Sequence, residues 1–269
     1  SPAIVFVEPV RYGWDLATVN LSRLAARLGE LRRPCSVLIV DSTLTAPVWG
    51  RRQLLTALGA LPTPPIVVEV RSGLKLDQQG LEIANVGVVT TYFQADGPHV
   101  DRARRLVDTI RLMRTTMGFA LTRGAQRALE APFLFDRRWS RIHGAQILDH
   151  NRRLAWELQR VNTGATFADI VHPSLTGPGH APFVILRVPG DDTDLARSVK
   201  ERLIRELSAD HHAGRVTLGN SFGFRGARFE TITPSSAERR MFLKVAIGSR
   251  VGPATERLAE CLSAIASQS

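Results

Sequence analysis

Ser36-Val37-Leu38-Ile39-Val40-Asp41 is an apolar run closed by a carboxylate. A short run with no polar alternation reads as a strand covered on both faces, the pattern of parallel sheets. Ile4-Val5-Phe6-Val7 upstream and Ile66 to Val70 downstream have the same character, and 83–91 is a fourth strand candidate. Between the strands, 15–31 carries Leu16, Val19, Leu24 and Leu28 close to helical spacing, and 51–58 can form a short helix. Strands alternating with helices predict an α/β fold with a parallel sheet.

The second half alternates less regularly. A long helical stretch over 101–129 meets Ala131-Pro132, which breaks it and places a boundary near 130–140. An amphipathic helix is expected over 146–161, strands over 183–188, 216–218 and 242–247, and helices over 194–207 and 254–265. Two domains are therefore expected: residues 1–135 with a parallel-rich sheet, and residues 136–269 as a smaller α+β domain.

The chain has 269 residues, 44% hydrophobic and 22% charged, which excludes a disordered or collagen-like polypeptide. Its two cysteines, Cys35 and Cys261, cannot build a disulfide framework. A reducing, cytoplasmic setting is the expectation, with both thiols as packing groups. No apolar run is long enough to span a bilayer, and the first residues lack the basic start of a signal peptide. The chain opens directly in a strand without a starting methionine, which reads as a piece of a longer chain. The net charge of +10 comes from scattered pairs such as Arg32-Arg33, Arg104-Arg105, Arg152-Arg153 and Arg239-Arg240, with no single basic run. That pattern disfavours nucleic acid as the partner.

Open parallel sheets bind ligands at the carboxyl ends of their strands. Glu8, Asp41 and the Ser72-Gly73-Leu74-Lys75 segment all fall there. Taken singly each has a plainer reading. An aspartate after a strand is commonly a cap, and a lone lysine is commonly a solvated charge. Their ordered recurrence along one sheet edge is what marks a site.

These segments resemble the Cys/Met-metabolism family of fold-type I pyridoxal-phosphate enzymes, the cystathionine lyases and methionine γ-lyases. Val37 to Pro47 looks like that family's strand followed by Asp-Asn-Thr-Phe-Ala-Thr-Pro. Ser72 to Lys75 looks like its Ser-x-Thr-Lys, and Phe6-Val7-Glu8-Pro9 like its Glu-x-Pro. Leu218 to Gly223 resembles its Ser-Leu-Gly segment, and Phe242 to Gly248 its Leu-Ile-Arg-Leu-Ser-Val-Gly. The resemblance implies pyridoxal 5'-phosphate as cofactor, with Lys75 as the Schiff-base lysine and Asp41 as partner of the pyridinium nitrogen. It implies Ser72, Thr43 and Arg71 around the cofactor, and Ser221, Arg228, Lys244 and Arg250 as substrate-binding candidates. Residues 1–135 would be the C-terminal portion of the cofactor-binding large domain, and 136–269 the small C-terminal domain. The implied activity is carbon–sulfur lyase chemistry, by β- or γ-elimination, on a cysteine- or homocysteine-type amino acid, free or carrier-bound. A homodimer or higher homo-oligomer is implied as well.

The sequence departs from the family at three places. Leu74 stands where the family has a phosphate-donating threonine, Gln78-Gln79-Gly80-Leu81-Glu82 replaces its Gly-His-Ser-Asp, and Lys244 replaces the arginine that grips the substrate carboxylate. The family's phosphate loop lies before its Glu-x-Pro segment, so a missing N-terminal segment of the same enzyme is the expected partner. A related aminotransferase or replacement enzyme would use the same residues. A basic binding module or non-catalytic half-domain is the non-enzymatic alternative. Ser72-x-x-Lys75 also matches a serine acyl-enzyme signature, but that chemistry needs Ser-Asp-Asn and Lys-Thr-Gly, and neither occurs. The adjacent His211-His212, and His143 with His150, lack ligand spacing for a metal, so no metal site is expected. Trp14, Trp49, Trp139 and Trp156 read as core or interface residues.

Overall fold

The computed structural model describes residues 3–46, 48–97, 99–209, 216–233 and 240–268. Pro47, His211, His212 and Arg239, which figure in the sequence reading, lie outside the described residues.

The three apolar runs form strands β1 (Ala3–Val7), β2 (Cys35–Asp41) and β3 (Ile66–Ser72). They pair in parallel in the order β1-β2-β3. Alternate residues of a strand face opposite sides. On one side Leu38, Val40 and Val67 pack beneath helices α1 (Leu21–Gly29) and α2 (Arg51–Gly59), through Leu28, Leu54 and Leu58. On the other side Ile66 and Val68 meet Ala103 of helix α3 (Val100–Thr116).

Three local expectations change. The first helix starts only at Leu21, because Asn20 caps it by accepting from the Arg23 N–H at 2.9 Å, and Leu16 takes a left-handed φ of 45°. The fourth strand, β4 (Gly87–Tyr92), starts later than expected and runs antiparallel to β3. Gln78 Oε1 accepts the N–H groups of Ile83 and Ala84, which withdraws them from any ladder. No helix lies between β3 and β4 to make the crossover that a parallel neighbour requires. The stretch over 101–129 is two helices, α3 and α4 (Arg123–Leu129), parted where Gly118 turns left-handed and Thr122 caps the second.

Helix α5 (Arg137–Val161) opens the second half. It begins nine residues earlier than its amphipathic pattern implied, because Asp136 caps it by accepting from Arg138 and Trp139. A five-stranded sheet follows, in the order β5-β6-β9-β8-β7. Its strands are β5 (Asp169–Val171), β6 (Val184–Arg187), β7 (Thr217–Leu218), β8 (Arg228–Ile232) and β9 (Phe242–Ala246). β5 and β8 escaped the sequence reading, being short or mixed in polarity. A short helix α6 (Pro173–Thr176) follows β5. Helices α5, α7 (Thr193–Ala209) and α8 (Pro253–Ala266) cover one face, burying Phe229, Leu243 and Val245 with Leu258 and Leu262. The opposite face presents Phe242, Ile185 and Phe183, which pack with Val10, Leu16 and Leu44 from loops of the first sheet. Cys35 and Cys261 are buried packing groups, as is Trp49, whereas Trp139 and Trp156 are half exposed. Among the described residues no helix is long and apolar enough to cross a membrane.

Candidate active site

The carboxyl ends of β1, β2 and β3 and the cleft-facing side of β9 enclose a cleft of about 280 Å³, lined by Glu8, Tyr12, Asp41, Thr43, Lys75, Ser221, Phe222 and Lys244 among others. Asp41 is the last residue of β2, half-buried, and its Oδ1 accepts from the Thr43 N–H at 2.9 Å. Thr43 Oγ1 accepts from the Ser72 N–H at 3.0 Å, tying the loop after β2 to the end of β3.

Lys75 lies in the turn after β3. Its ammonium donates to Ser221 Oγ and sits over the rings of Phe222 and Phe224, at 5.3 and 5.6 Å. Burial holds its pKa below the ordinary lysine value, and Arg228 adds to the shift while Glu82 opposes it. Gly223 makes this close approach geometrically allowed: its φ is +84° and a Cβ there would come within 3.0 Å of the Lys75 backbone. His143 Nε2 donates to the Gly223 carbonyl at 2.9 Å and fixes that turn from helix α5.

Lys244 alternates with Phe242 and Ala246 on the cleft-facing side of β9, so strand periodicity alone drives it inward. It is only 3% exposed. Its amine donates to the Asn220 carbonyl at 2.7 Å and lies 4.0 Å over the Phe183 ring. Burial, reinforced by Lys75, pushes its pKa down to about 7. No carboxylate pairs with Lys75 or Lys244 among the described residues. On the facing wall, burial and then the charge of Asp41 hold the Glu8 carboxyl above the ordinary carboxylate range.

Of the residues singled out in the sequence, Lys75, Asp41, Thr43, Ser221 and Lys244 converge on this cleft. Ser72, Arg71, Arg228 and Arg250 do not line it. Arg71 is committed to Asp77 by two bonds of 2.8 and 3.2 Å. Arg228 lies 3.6 Å over the Phe224 ring and pairs with Glu82 at 2.6 Å. Arg250 is exposed. Tyr12, Asn220 and Phe222 were not foreseen as site residues. Asn220 and Phe222 lay within the segment 218–223, and the only signal for Tyr12 was its place in the loop after an apolar run read as a buried strand, of which the structure leaves Ile4 and Phe6 exposed. Glu8 was legible as a strand-end carboxylate.

No family model matches this chain, and no curated protein does. Solved structures do. The chain aligns with a methionine gamma lyase from Micromonospora echinospora at 19% identity and TM-score 0.63, over 98% of its own length and 62% of that chain. It aligns with an O-acetylhomoserine sulfhydrylase from Wolinella succinogenes at 16% identity and TM-score 0.60, over 96% of its own length and 70% of that chain. It also aligns with a serine palmitoyltransferase from Sphingomonas wittichii at 13% and 0.57, over 98% and 55%. The chain therefore has the fold of the fold-type I pyridoxal-phosphate enzymes, and it spans only part of the length of these structures. Two of these names are those of enzymes of sulfur amino acids, in keeping with the resemblance read from the motifs. One fold serves a lyase, a sulfhydrylase and an acyltransferase here, so the reaction must be read from the site.

Proposed function

We propose that this chain carries the reacting lysine and the ring-facing carboxylate of a pyridoxal-phosphate-dependent carbon–sulfur lyase. Its substrate would be a cysteine- or homocysteine-type amino acid or conjugate, cleaved by β- or γ-elimination. The observation that carries this reading is the convergence of Lys75, Asp41 and Lys244 on one cleft at the carboxyl edge of the first sheet. The donor set fits the cofactor's ring end: an amine with a lowered pKa, a fixed carboxylate, and the hydroxyl groups of Thr43 and Ser221. Bound there, pyridoxal 5'-phosphate would supply an electron sink for the electron pair left on the substrate α-carbon.

The chain's own groups supply the rest. Lys75 would hold the cofactor covalently and, once displaced by substrate, move the α-proton, a role suited to an amine whose pKa burial has lowered. Asp41, held by the Thr43 N–H, would keep a proton on the ring nitrogen. Lys244 would receive the substrate carboxylate, since of the two cleft amines without a carboxylate partner among the described residues it is the fully buried one, and Lys75 is assigned to the cofactor. Phe222 and Phe183 would exclude water around both amines. With this reading go the division into a large-domain portion at 1–135 and a small domain at 136–269, a homo-oligomeric assembly, and a cytoplasmic location.

The test is borohydride reduction of the full-length protein with pyridoxal phosphate, then peptide mapping. The label should land on Lys75 and vanish in Lys75→Ala, and sulfur amino acids should release thiol and a keto acid. Label on Lys200 or Lys244, or no label, overturns the assignment. A keto acid without thiol would replace elimination by transamination.

A further inference from the structure

Glu69 is the charged residue in the apolar run of β3 from Ile66 to Val70. Strand alternation sets it on the side of Val67, beneath α1 and α2. It is fully buried there, and no step of the proposed reaction uses it. Its Oε1 accepts from Ser42 Oγ at 2.7 Å and from Trp49 Nε1 at 2.9 Å, and its Oε2 accepts from the Tyr92 hydroxyl at 2.9 Å. The Arg51 guanidinium lies 3.2 Å from Oε2. Burial pushes the carboxyl pKa up, but the bonds from Ser42 and Trp49, with the charge of Arg51, outweigh it and hold the group below its ordinary value. Packing gives no reason for a carboxylate at this place, because apolar side chains commonly replace a buried ion pair without loss of stability.

Its partners do give a reason. Ser42 is equally buried and joins Asp41 to Thr43. The Ser42 N–H donates to the Val70 carbonyl at 3.0 Å, and the Ser42 carbonyl accepts from the N–H groups of Thr45 and Ala46. The hydroxyl is the remaining handle on this residue, and Glu69 takes it. On the same strand face Arg71 stands 3.8 Å from Glu69 Oε1 and is bonded to Asp77, in the turn that carries Lys75. One buried carboxylate thus stands between the loop that presents Asp41 and the turn that presents Lys75. We propose that Glu69 is a positioning residue: by holding Ser42 it aims the Asp41 carboxylate into the cleft. The catalytic part of this inference rests on the reading of Asp41 as the ring-facing carboxylate; the hold on the loop does not.

Three variants separate this role from a merely structural one. Ser42→Ala removes the bond and leaves the carboxylate with its other partners. Glu69→Gln keeps an acceptor in place. Tyr92→Phe removes a different bond of the same carboxylate, on the β4 side. In the full-length protein without cofactor, Ser42→Ala should quicken hydrogen exchange over 43–46 by about tenfold, while Glu69→Gln and Tyr92→Phe leave it at the wild-type rate. With pyridoxal phosphate, Ser42→Ala should keep Lys75 labelling and lose about tenfold in turnover of a sulfur amino acid. In the Asp41→Asn background the same change should cost nothing further, because it acts through that carboxylate. Unchanged exchange in Ser42→Ala, equal quickening in Tyr92→Phe, or a further loss of about tenfold in the Asp41→Asn background would overturn the proposal. Quickened exchange confined to Ser42→Ala, in a protein that takes up no cofactor, would uphold the hold of Glu69 on the loop and overturn the reading of the reaction instead.

Discussion

Lys244 occupies a position where a strand's alternation forces a cation inward. A lysine whose pKa falls from 10.5 to about 7 on folding binds fewer protons in the native state between those values. Stability therefore rises with pH across that window, and the full cost is present below pH 7. Lys244→Met should raise the melting temperature by several degrees at pH 6 and progressively less toward pH 10, followed by calorimetry across pH. The same variant should lose substrate affinity if Lys244 receives the carboxylate, while Lys244→Arg restores it through a bidentate pair. Asp41→Asn separates binding from turnover. On the proposed roles, cofactor uptake should survive within about tenfold, because the proposed Lys75 linkage would be untouched, and turnover should fall by about two orders of magnitude or more, since the charge proposed to hold the ring proton would be gone. Absorbance titration and steady-state kinetics on one preparation check both.

At the scale of elements, caps and turns fix where side chains point. Helix α6 is capped by His172, whose Nδ1 accepts from the Ser174 N–H at 3.2 Å while Nε2 donates to the Ala181 carbonyl. The ring is 2% exposed, and burial pushes its pKa down to about 4. The native state thus holds the neutral ring while the unfolded chain protonates near 6.5. The associated stability is complete above pH 6.5 and is lost as pH falls toward 4. His172→Asn keeps a capping acceptor but removes the titration, so its unfolding free energy should fall less steeply over that interval than wild type, by denaturant titration at pH 7, 5.5 and 4.5. β4 shows the same scale from the other side. Its apolar residues were legible, but its direction was set by a short connection and by the hold of Gln78 on residues 83 and 84.

Across the whole molecule, a polar joint adds to the apolar packing of Val10, Leu16 and Leu44 on the second sheet in bringing the two sheets together at the cleft. The loop over 73–82 after β3 meets the loop over 219–227 and the first residue of β8, Arg228. Lys75 reaches Ser221, Arg225 Nε donates to the Gln79 carbonyl at 3.2 Å, and Glu82 pairs with Arg228. Gly80 sits at the tightest point, with φ +70° and space for a Cβ only 2.7 Å from the Arg225 nitrogen. Gly80→Ala therefore strains the backbone and presses the loops apart. Both sheets should persist by circular dichroism. Hydrogen exchange over 219–226 should quicken and Lys75 labelling should drop by about tenfold or more. Retention of wild-type exchange and labelling would show that the joint does not hold the cleft.

The sequence by itself determined the parallel strands β1 to β3, the existence of the long helices α5, α7 and α8, and the carboxylate and lysine at strand ends. Each is written in local periodicity: continuous apolar runs, helical spacing, and polar groups where a strand stops. Its motif order also brought the fold family into view. Only the tertiary structure decided which candidates share a cleft. Arg71 and Arg228 look like anion ligands in one dimension, but Asp77, Glu82 and the Phe224 ring, brought close by folding, take their guanidinium groups away. Lys244 looks like a weak substitute for arginine. Folding surrounds it with aromatic rings and sets it beside Lys75, 169 residues away in sequence, where burial rather than residue type fixes its charge. Such pairings depend on long-range packing and desolvation, which no local pattern of residues encodes.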